Sequence, residues 1–483
     1  MITNDATLLK VKHEVLYEVA KLAYAGRLEE ERDSLPYKMV PGPQPAFRCC
    51  IYREREVIRQ RIRLAEGKAP GAEDDENIVQ VINSACEGCP ISRYVVTDNC
   101  QKCMGKACQA ACRFGAISMG RDKSYIDPSK CKECGQCAKA CPYNAIADLV
   151  RPCMKICPVD AISVADNGTG IAVINQDKCI QCGSCVHKCP FGAIGSKTFI
   201  VDIIKKMRSD IKVFAMLAPA TIGQFGADIT MASWRTALKK IGFYDVVDVS
   251  LGADMTAMNE AKEWIEAKEK GEKKTTSCCP AFKNYIEKHF PTLKDAISET
   301  VSPMCAASRY IKEKFPGAVT VFIGPCIAKK AESMSGEKDT ADYALTYGEI
   351  RAMLRAKGVK LEPEEDTDDQ GSIYGKKFAN AGGVTAAVLE SMKELGCTGD
   401  VSVCKCSGIT ECKKALTLMK VGRLPEDFIE GMVCEGGCVG GPSRHRDPNL
   451  AMRDRNAALA KSSDILIKDN LDKQNAETVD MIR

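Results

Sequence analysis

The chain has 483 residues, of which 45% are hydrophobic, so it is long enough to bury the cores of two or three domains. Its 68 basic and 64 acidic residues leave a net charge of +4, which gives no reason to expect nucleic acid or an anionic membrane as a partner. The N-terminus MITNDATLLKVKHE lacks the basic-then-apolar order of a signal peptide, and no apolar run is long enough to span a bilayer. We therefore expect a soluble, cytoplasmic protein.

The first 80 residues contain no cysteine spacing typical of a metal cluster, and we expect a helical N-terminal segment over residues 1–80. The stretches LLKVKHEVLYEVAKLAYAGRLEEE and CCIYREREVIRQRIRLAEG each show the apolar periodicity of an amphipathic helix. The basic face of the second helix is expected to be solvated surface. The charged stretch EGKAPGAEDDEN is predicted to be a linker.

Cysteine is the exceptional residue, with 28 copies beside only four histidines. Disulfide-rich chains are usually short and secreted, and this chain matches neither description. Reduced thiolates that bind metal are therefore the better interpretation. Soft sulfur ligands favour iron–sulfur clusters or zinc.

Residues 81–197 contain an internal repeat, in which a cysteine is followed four residues later by Ala-Ile. The four copies are CRFGAI from Cys112, CPYNAI from Cys141, CPVDAI from Cys157 and CPFGAI from Cys189. The spacing C-x2-C-x2-C-x3-C-P is complete twice, at Cys131, Cys134, Cys137 and Cys141 and at Cys179, Cys182, Cys185 and Cys189. This run is similar to that of bacterial ferredoxins, in which three cysteines bind one 4Fe-4S cluster and the fourth binds its neighbour. Zinc has no need of the third closely spaced cysteine.

The same crossing, applied to all copies, predicts four accessory 4Fe-4S clusters in α+β ferredoxin-like domains over residues 81–197. The four predicted ligand sets are Cys100, Cys103, Cys108 and Cys141; Cys131, Cys134, Cys137 and Cys112; Cys179, Cys182, Cys185 and Cys157; and Cys86, Cys89, Cys153 and Cys189. The last set requires the first ferredoxin unit to be inserted between Cys89 and Cys153. Cys49 and Cys50 compete for this fourth site.

Residues 198–483 change character and are predicted to form an α/β domain with mainly parallel sheets. Strand-like runs such as KVFAMLA, AVTVFIG and FIEGMVC alternate with helical stretches such as TMASWRTALKKIG and TAAVLESMKELG. Three cysteine motifs lie in this region: TSCCPAF at 276–282, GPCIAKKAE at 324–332 and MVCEGGCVGGP at 432–442. Strand ends in such folds deliver side chains to a shared crevice.

Together, in this order, the three motifs resemble the signatures of the FeFe (iron-only) hydrogenases, over roughly residues 80–450. The resemblance implies a two-lobed catalytic domain around a central cluster, in which Cys279, Cys326, Cys434 and Cys438 bind a 4Fe-4S subcluster. Cys438 would also bridge to a two-iron subcluster with CO, cyanide and a dithiolate. Lys329 would donate to one cyanide, as an ammonium can. The other residues expected around the two irons are Pro219 and Ala220, which contact a cyanide, and the apolar walls Phe378, Val384 and Met432.

The resemblance also implies a proton path. Cys278 matches the thiol that delivers protons, Glu260 and Glu263 match an acidic relay on one helical face, and Ser298 matches the hydroxyl between them. From the residues alone, an exposed helix face is the favoured explanation of the two glutamates, and only the resemblance favours the relay.

The residues depart from the family pattern at several positions, although every cluster ligand is kept. These positions are Gly324 in place of methionine, Ala281 and Phe282 in place of a tryptophan-bearing pair, the short run Gly440, Gly441 and Pro442, and Ala267 and Lys268 where an arginine is expected. They indicate a divergent branch. Cys404, Cys406 and Cys412 are spaced closely enough for redox activity or metal binding, although small buried hydrophobes explain them more simply.

The expected function is reversible reduction of protons to H2, with electrons from ferredoxin or a similar carrier and a cofactor built by hydrogenase maturation proteins. The sequence contains no G-x-G-x-x-G motif, which argues against direct use of a dinucleotide. Two alternatives remain: a hydrogenase-like iron–sulfur assembly factor, and an H2 sensor with little turnover.

Overall fold

Four helices form the N-terminal part of the chain. The computed structural model describes residues 8–71, 75–86, 89, 92–365, 370–397, 399–462 and 464–483. Residues 1–7 of the predicted N-terminal segment and 72–74 of the predicted linker therefore lie outside the described residues. The helices are α1 (Leu8–Ala25), α2 (Leu28–Glu31), α3 (Leu35–Met39) and α4 (Ile51–Ala65).

Two expectations for this part were wrong. The first predicted helix is two helices, because α1 ends before Gly26, which has a φ of 73°. The basic face of α4 is not simply solvated. Arg53 and Arg55 donate to backbone carbonyls, and Arg61 is 6% exposed and donates to the carbonyl of Gly192 at 2.6 Å. Helix α4 therefore packs on the cysteine-rich region through its arginines.

Two ferredoxin-like units follow, one nested inside the other. Strand β1 pairs with β8 and β6 with β7, whereas the inserted unit pairs β2 with β5 and β3 with β4, all antiparallel. The predicted boundary at residue 80 falls inside β1. The elements are β1 (Val79–Val81), β2 (Tyr94–Val96), α5 (Ala107–Ala110), β3 (Ile117–Met119), β4 (Ser124–Ile126), α6 (Gln136–Ala140), β5 (Ile146–Asp148), α7 (Pro152–Ile156), β6 (Ile162–Val164), β7 (Ala172–Ile174), α8 (Ser184–Lys188) and β8 (Ile194–Ser196), with a 3-10 turn at Asn83–Ala85.

The repeat has a local structural reason. In each copy, the amide of the repeat alanine donates to the sulfur of the cysteine four residues earlier, at 3.2–3.4 Å. The chain reaches this geometry through a left-handed residue just before the alanine. That residue is Gly115, Asn144, Asp160 or Gly192, with φ between 48° and 60°. Only these residue types adopt this conformation readily, so the repeat encodes a turn that aims an amide at sulfur.

The remainder of the chain contains two parallel sheets, as predicted. One has the order β10-β9-β12-β13 and the other β11-β15-β14. The strands are β9 (Val213–Leu217), β10 (Asp245–Asp248), β11 (Lys274–Thr275), β12 (Val319–Gly324), β13 (Tyr343–Thr346), β14 (Val403–Ser407) and β15 (Phe428–Met432). Strand β9 is buried along its whole length, which is typical of a parallel sheet covered on both faces.

Helices cover both sheets. They are α9 (Ile200–Met207), α10 (Met231–Ile241), α11 (Val249–Glu269), α12 (Pro280–His289), α13 (Pro303–Lys314), α14 (Ala328–Ser333), α15 (Tyr347–Ala356), α16 (Ile373–Lys377), α17 (Gly383–Glu394), α18 (Ile409–Lys420), α19 (Pro448–Leu459) and α20 (Ile467–Gln474), with 3-10 turns at Pro219–Thr221, Pro291–Ala296 and Cys438–Gly440. In the described part of the chain, no helix is long and apolar enough to cross a membrane.

Candidate active site

The C-terminal ends of four parallel strands meet at one buried, largely apolar cavity. Strand β11 leads to Cys278 and Cys279, β12 to Cys326, and β15 to Cys434 and Cys438. Strand β9 ends just before Pro219 and Ala220. The cavity wall contains all seven of these residues, so three cysteine motifs that are separated in sequence converge at one site.

The sulfur groups in this cavity fit a metal cluster better than free thiols. Burial and the charge of Cys279 raise the pKa of both Cys326 and Cys438 to about 12. Burial also raises the pKa of Cys434, with Cys326 and Cys279 as further causes. Four neighbouring thiolates in an apolar cavity require positive charge to compensate them, which iron supplies.

The cysteines of this cavity do not form a site for a single metal ion. Over the described ranges, no three His, Cys, Asp or Glu side chains lie close enough together to hold one metal ion. A cubane does not need such a group, because each of its four thiolates binds a different iron.

Lys329 lies in the cavity wall and is 8% exposed. Its ammonium lies 2.6 Å from the carboxylate of Glu332 and donates to the Ser302 hydroxyl at 2.9 Å. Burial opposes its charge, but the Glu332 carboxylate outweighs this effect and raises the pKa of Lys329. Lys329 is therefore a charged ammonium in the cavity wall, positioned by Glu332 and Ser302. Our sequence reasoning missed Glu332, although it lies in the second motif.

The apolar walls are only partly those expected. Phe378 and Met432 line the cavity, whereas Val384 is buried in the same core cluster but does not lie on the cavity wall. Arg455, which the sequence gave no reason to select, donates to the Pro219 carbonyl at 2.5 Å and to the Asn380 side chain at 2.9 Å. It therefore ties the Pro219 turn to the segment after Phe378.

The backbone approaches the cavity closely beside Cys438. The Cys438 amide donates to the Ala379 carbonyl at 2.8 Å. The preceding residue, Gly437, has a φ of 81°, and a Cβ atom at this position would lie 2.5 Å from the same carbonyl oxygen. Glycine is therefore required here for both conformation and space.

Two of the predicted proton-path residues, Glu263 and Ser298, are hydrogen-bonded to each other, and Glu260 lies three residues before Glu263 on the same helix. Glu260 and Glu263 are on α11, and the Ser298 hydroxyl donates to the Glu263 carboxylate at 2.7 Å. Glu260 is fully buried, and burial together with the charge of Glu263 raises its pKa to about 8, which the Ser277 backbone and the Ser298 hydroxyl partly offset. Burial also raises the pKa of Cys278, with the Glu260 charge as the next cause.

At the outer end of this path, Lys274 contributes the nearest cation. Its ammonium lies 3.7 Å from the half-buried carboxylate of Glu263. The cation beside Glu263 therefore comes from β11 and not from the segment near Ala267 and Lys268, where an arginine was expected.

Two of the four predicted accessory sets each line a small cavity of their own. One small cavity in the inserted unit is lined by Cys100, Cys103, Cys108 and Cys141. A second is lined by Cys112, Cys131, Cys134 and Cys137. In the outer unit, burial is the largest cause that raises the pKa of Cys185, and the charges of the neighbouring Cys182, Cys179 and Cys157 raise it further. Likewise, burial followed by the charges of Cys189, Cys86 and Cys89 raises the pKa of Cys153 to about 11.

The predicted set that contains Cys182 extends to the cavity of Cys279, Cys326, Cys434 and Cys438, because Cys182 also lines the wall of that cavity. Cys49 is exposed and Cys50 half-buried at the start of α4. Cys404 and Cys406 have sulfurs 3.9 Å apart, and Cys406 and Cys412 are buried in the apolar cluster behind Cys279.

Comparison with known proteins agrees with this arrangement. Residues 211–442 match the family described as iron only hydrogenase large subunit, C-terminal domain. Residues 124–147 match a 4Fe-4S binding domain, and 151–193 match a 4Fe-4S dicluster domain. These matches define an iron–sulfur oxidoreductase with a catalytic domain behind ferredoxin-type domains.

The relatives identify the family more closely. Iron hydrogenase 1 of Clostridium pasteurianum is 30% identical over 391 residues, which cover 68% of this chain and 66% of the relative. The periplasmic [Fe] hydrogenase large subunit of Nitratidesulfovibrio vulgaris is 29% identical over 375 residues, covering 65% of this chain and 85% of the relative. A solved FeFe-hydrogenase from Chlamydomonas reinhardtii is 21% identical, covers 58% of this chain and 93% of that one, and has a TM-score of 0.46. On the family match and the two curated relatives, the chain belongs to the FeFe (iron-only) hydrogenases.

Proposed function

We propose that this chain catalyses the reversible reduction of protons to H2, with electrons supplied through accessory 4Fe-4S clusters. The observation that carries the proposal is the convergence of the four cysteine ligands, Cys278 and Lys329 on one buried cavity. An assembly factor that lacks the two-iron subcluster would have no need of a held ammonium or of a second buried thiol there.

The proposed catalytic cofactor is a 4Fe-4S subcluster joined to a two-iron subcluster with CO, cyanide and a dithiolate, and it would supply the redox and hydrogen chemistry. Cys279, Cys326, Cys434 and Cys438 would hold the cubane, between two lobes formed by the two parallel sheets. Lys329 would donate hydrogen bonds to a cyanide while Glu332 keeps it charged. Phe378 and Met432 would exclude water, and Pro219 and Ala220 would contact the opposite side.

The proposed proton path runs from Lys274 and the solvent side through Glu263, Ser298 and Glu260 to Cys278. It is supported by the hydrogen bond between Ser298 and Glu263 and by the raised pKa of Glu260, which keeps this group near the protonation balance that a relay needs. Such a relay needs groups within hydrogen-bond reach, directly or through one water.

Electrons would enter through the inserted ferredoxin-like unit, pass to the set that contains Cys153, and then to the set that contains Cys182. The presence of Cys182 in the wall of the catalytic cavity supports this order. We propose four accessory clusters, ferredoxin or a similar carrier as the electron partner, and hydrogenase maturation proteins as builders of the cofactor. The cytoplasmic location stays a prediction, since the Nitratidesulfovibrio relative is named as periplasmic.

The test is an anaerobic hydrogen assay on protein matured with the two-iron subcluster, run with reduced viologen for evolution and oxidised viologen for uptake. Infrared bands of CO and cyanide in the same sample report whether the subcluster is bound. Bound subcluster with turnover supports the enzyme. Bound subcluster with almost no turnover would favour the sensor, and failure to bind it in fully reconstituted protein would favour the assembly factor.

A further inference from the structure

A cleft of about 680 Å³ lies where helix α1, the loop around Cys189 and the segment after Cys438 meet. Its wall carries a large excess of positive charge. The lysine and arginine side chains that line it are Lys12, Arg61, Lys188, Arg351, Arg444 and Arg446. Among the described residues, the carboxylates in its wall are those of Glu349 and Asp447.

Neither carboxylate neutralises these cations. Glu349 lies 2.5 Å from the ammonium of Lys330, which is outside the cleft wall. Asp447 accepts from backbone amides at the start of α19. Arg446 is paired with Asp454 at 2.5 Å. For the other five cations, the described part of the chain provides no carboxylate within ion-pair distance; these are Lys12, Arg61, Lys188, Arg351 and Arg444.

The floor of the cleft contains a buried, incompletely bonded cation. Arg61 is 6% exposed and donates one hydrogen bond, to the Gly192 carbonyl, while its Nε atom has no partner among the residues that the structure describes. The anionic group that acts on the Arg61 guanidinium is the Cys189 sulfur, and no carboxylate of the described residues pairs with it. Its unbonded Nε atom leaves the hydrogen bonding of this buried group incomplete, which a ligand in the cleft would complete.

Positive charge from arginine side chains also dominates the rim of the cleft, around His445. The ring of His445 stacks on Phe225 with centroids 4.3 Å apart and contacts the Arg351 guanidinium at 3.3 Å. Burial, Arg351 and Arg446 lower the pKa of His445 to about 4. This histidine is therefore neutral near pH 7, and it leaves the rim charge to the arginines.

We propose that this cleft binds a small molecule with two or more phosphoryl groups, held by Arg61, Arg351 and Arg444. The planar guanidinium matches phosphate oxygens with two parallel hydrogen bonds. The cleft is much larger than one phosphate, and its apolar wall of Leu8, Leu16 and Leu64 suits an organic portion of the ligand. A convex protein surface would not reach the Arg61 floor. The site is separate from the catalytic cavity, and its occupancy does not depend on hydrogen turnover.

Calorimetric titration of the full chain, reconstituted anaerobically with iron and sulfide, tests this inference at one fixed ionic strength. The probes are inorganic pyrophosphate, ATP, which adds an organic ring, and citrate, which offers carboxylates only. We expect saturable binding of pyrophosphate and ATP at one site, with citrate clearly weaker. Tighter binding of ATP than of pyrophosphate would support use of the apolar wall.

The double variant Arg351→Gln/Arg444→Gln should weaken pyrophosphate binding at least about tenfold, because charge-assisted hydrogen bonds to phosphate are lost. The control Lys414→Gln/Lys420→Gln removes the same charge from exposed positions on α18 and should leave the affinity unchanged. Iron content of each variant reports whether the clusters assemble. Arg61→Lys keeps the positive charge but loses the planar guanidinium. It should weaken pyrophosphate binding without loss of iron.

Three outcomes would overturn the inference. The first is no saturable binding of pyrophosphate or ATP by wild-type protein with full iron content. The second is equal weakening in the cleft variant and the α18 control, which would mean a general charge effect. The third is citrate binding as tight as that of pyrophosphate. If these anions fail and the cleft variant loses only the reaction with an acidic protein carrier, the surface docks that protein instead.

Discussion

Replacement of Glu260 by glutamine tests the proposed proton path most directly. In the folded protein, burial and the charge of Glu263 raise the pKa of Glu260 from 4.5 to about 8. At 1.36 kcal/mol per pKa unit, this difference corresponds to about 5 kcal/mol against ionisation. Glu260 is therefore protonated near pH 7 and still close enough to its pKa to exchange a proton.

The sign of the pH effect follows from this value. Because the folded pKa lies above the unfolded one, the folded state holds the proton more tightly, and stability falls as pH rises from about 4.5 to about 8. Glu260→Gln removes this dependence, since glutamine does not titrate. Turnover should fall by at least about 100-fold, which is typical for loss of a positioned acid or base, while iron content stays normal.

The assay combines turnover with infrared spectroscopy of the carboxyl group. Wild-type protein should show a protonated carboxyl band that disappears with a midpoint near pH 8, and Glu260→Gln should lack this band. Glu266→Gln is the matched control, because Glu266 lies exposed on the same helix and should affect neither measurement. Full turnover of Glu260→Gln, or a carboxyl midpoint near pH 4.5, would refute the reasoning.

Three further predictions concern the metal sites. Cys279→Ala should lose the irons of the catalytic cubane, whereas Cys278→Ala should keep all iron and lose most hydrogen turnover. Cys278→Asp should retain more turnover than Cys278→Ala. A fully active Cys278→Ala would disprove the role of Cys278 in proton transfer. Glu332→Gln should lower the free energy of unfolding by about 3–5 kcal/mol, because it leaves the buried Lys329 ammonium without its carboxylate partner. Its melting temperature should fall well below that of the exposed control Glu313→Gln. Anaerobic iron analysis of reconstituted protein without the two-iron subcluster should give about twenty irons, at four per cubane, and a value near sixteen would disprove one accessory site.

The features that the sequence predicted well depend on neighbours along the chain. The Ala-Ile signature reflects a left-handed turn that directs an amide at sulfur, and Gly115, Asn144 and Asp160 already show the residue types that this turn accepts. The parallel sheets followed from alternating strands and helices, and the expectation of a shared crevice followed from where those strands end. The role of each site residue came from the resemblance to the hydrogenase family. The pairing of Lys329 with Glu332 is also local, since residues three apart on a helix are neighbours on its surface.

Contacts between distant segments were not predictable in this way. The periodicity of α4 suggested a solvated basic face, yet Arg61 is buried because a carbonyl 131 residues away accepts its hydrogen bond. Arg455 likewise donates to Pro219, which lies 236 residues earlier. Periodicity reports which face of a helix is polar, but it does not report whether that face meets water or another backbone.

The junction between the ferredoxin-like region and the catalytic domain shows what such contacts achieve. Gly183 follows Cys182 directly, and a Cβ atom there would lie 2.5 Å from Ile327, which follows Cys326. Beside this contact, the fully buried Lys330 pairs with Glu349 and donates to the Lys197 carbonyl at 2.7 Å. Lys330 and Glu349 both lie in the C-terminal region, so the hydrogen bond to Lys197 is the contact that crosses the junction. Gly183 permits the segments of Cys182 and Cys326 to approach each other, and Lys330 ties the same junction through a hydrogen bond. The placement of the two cysteine sets therefore depends also on residues that are not predicted to bind metal.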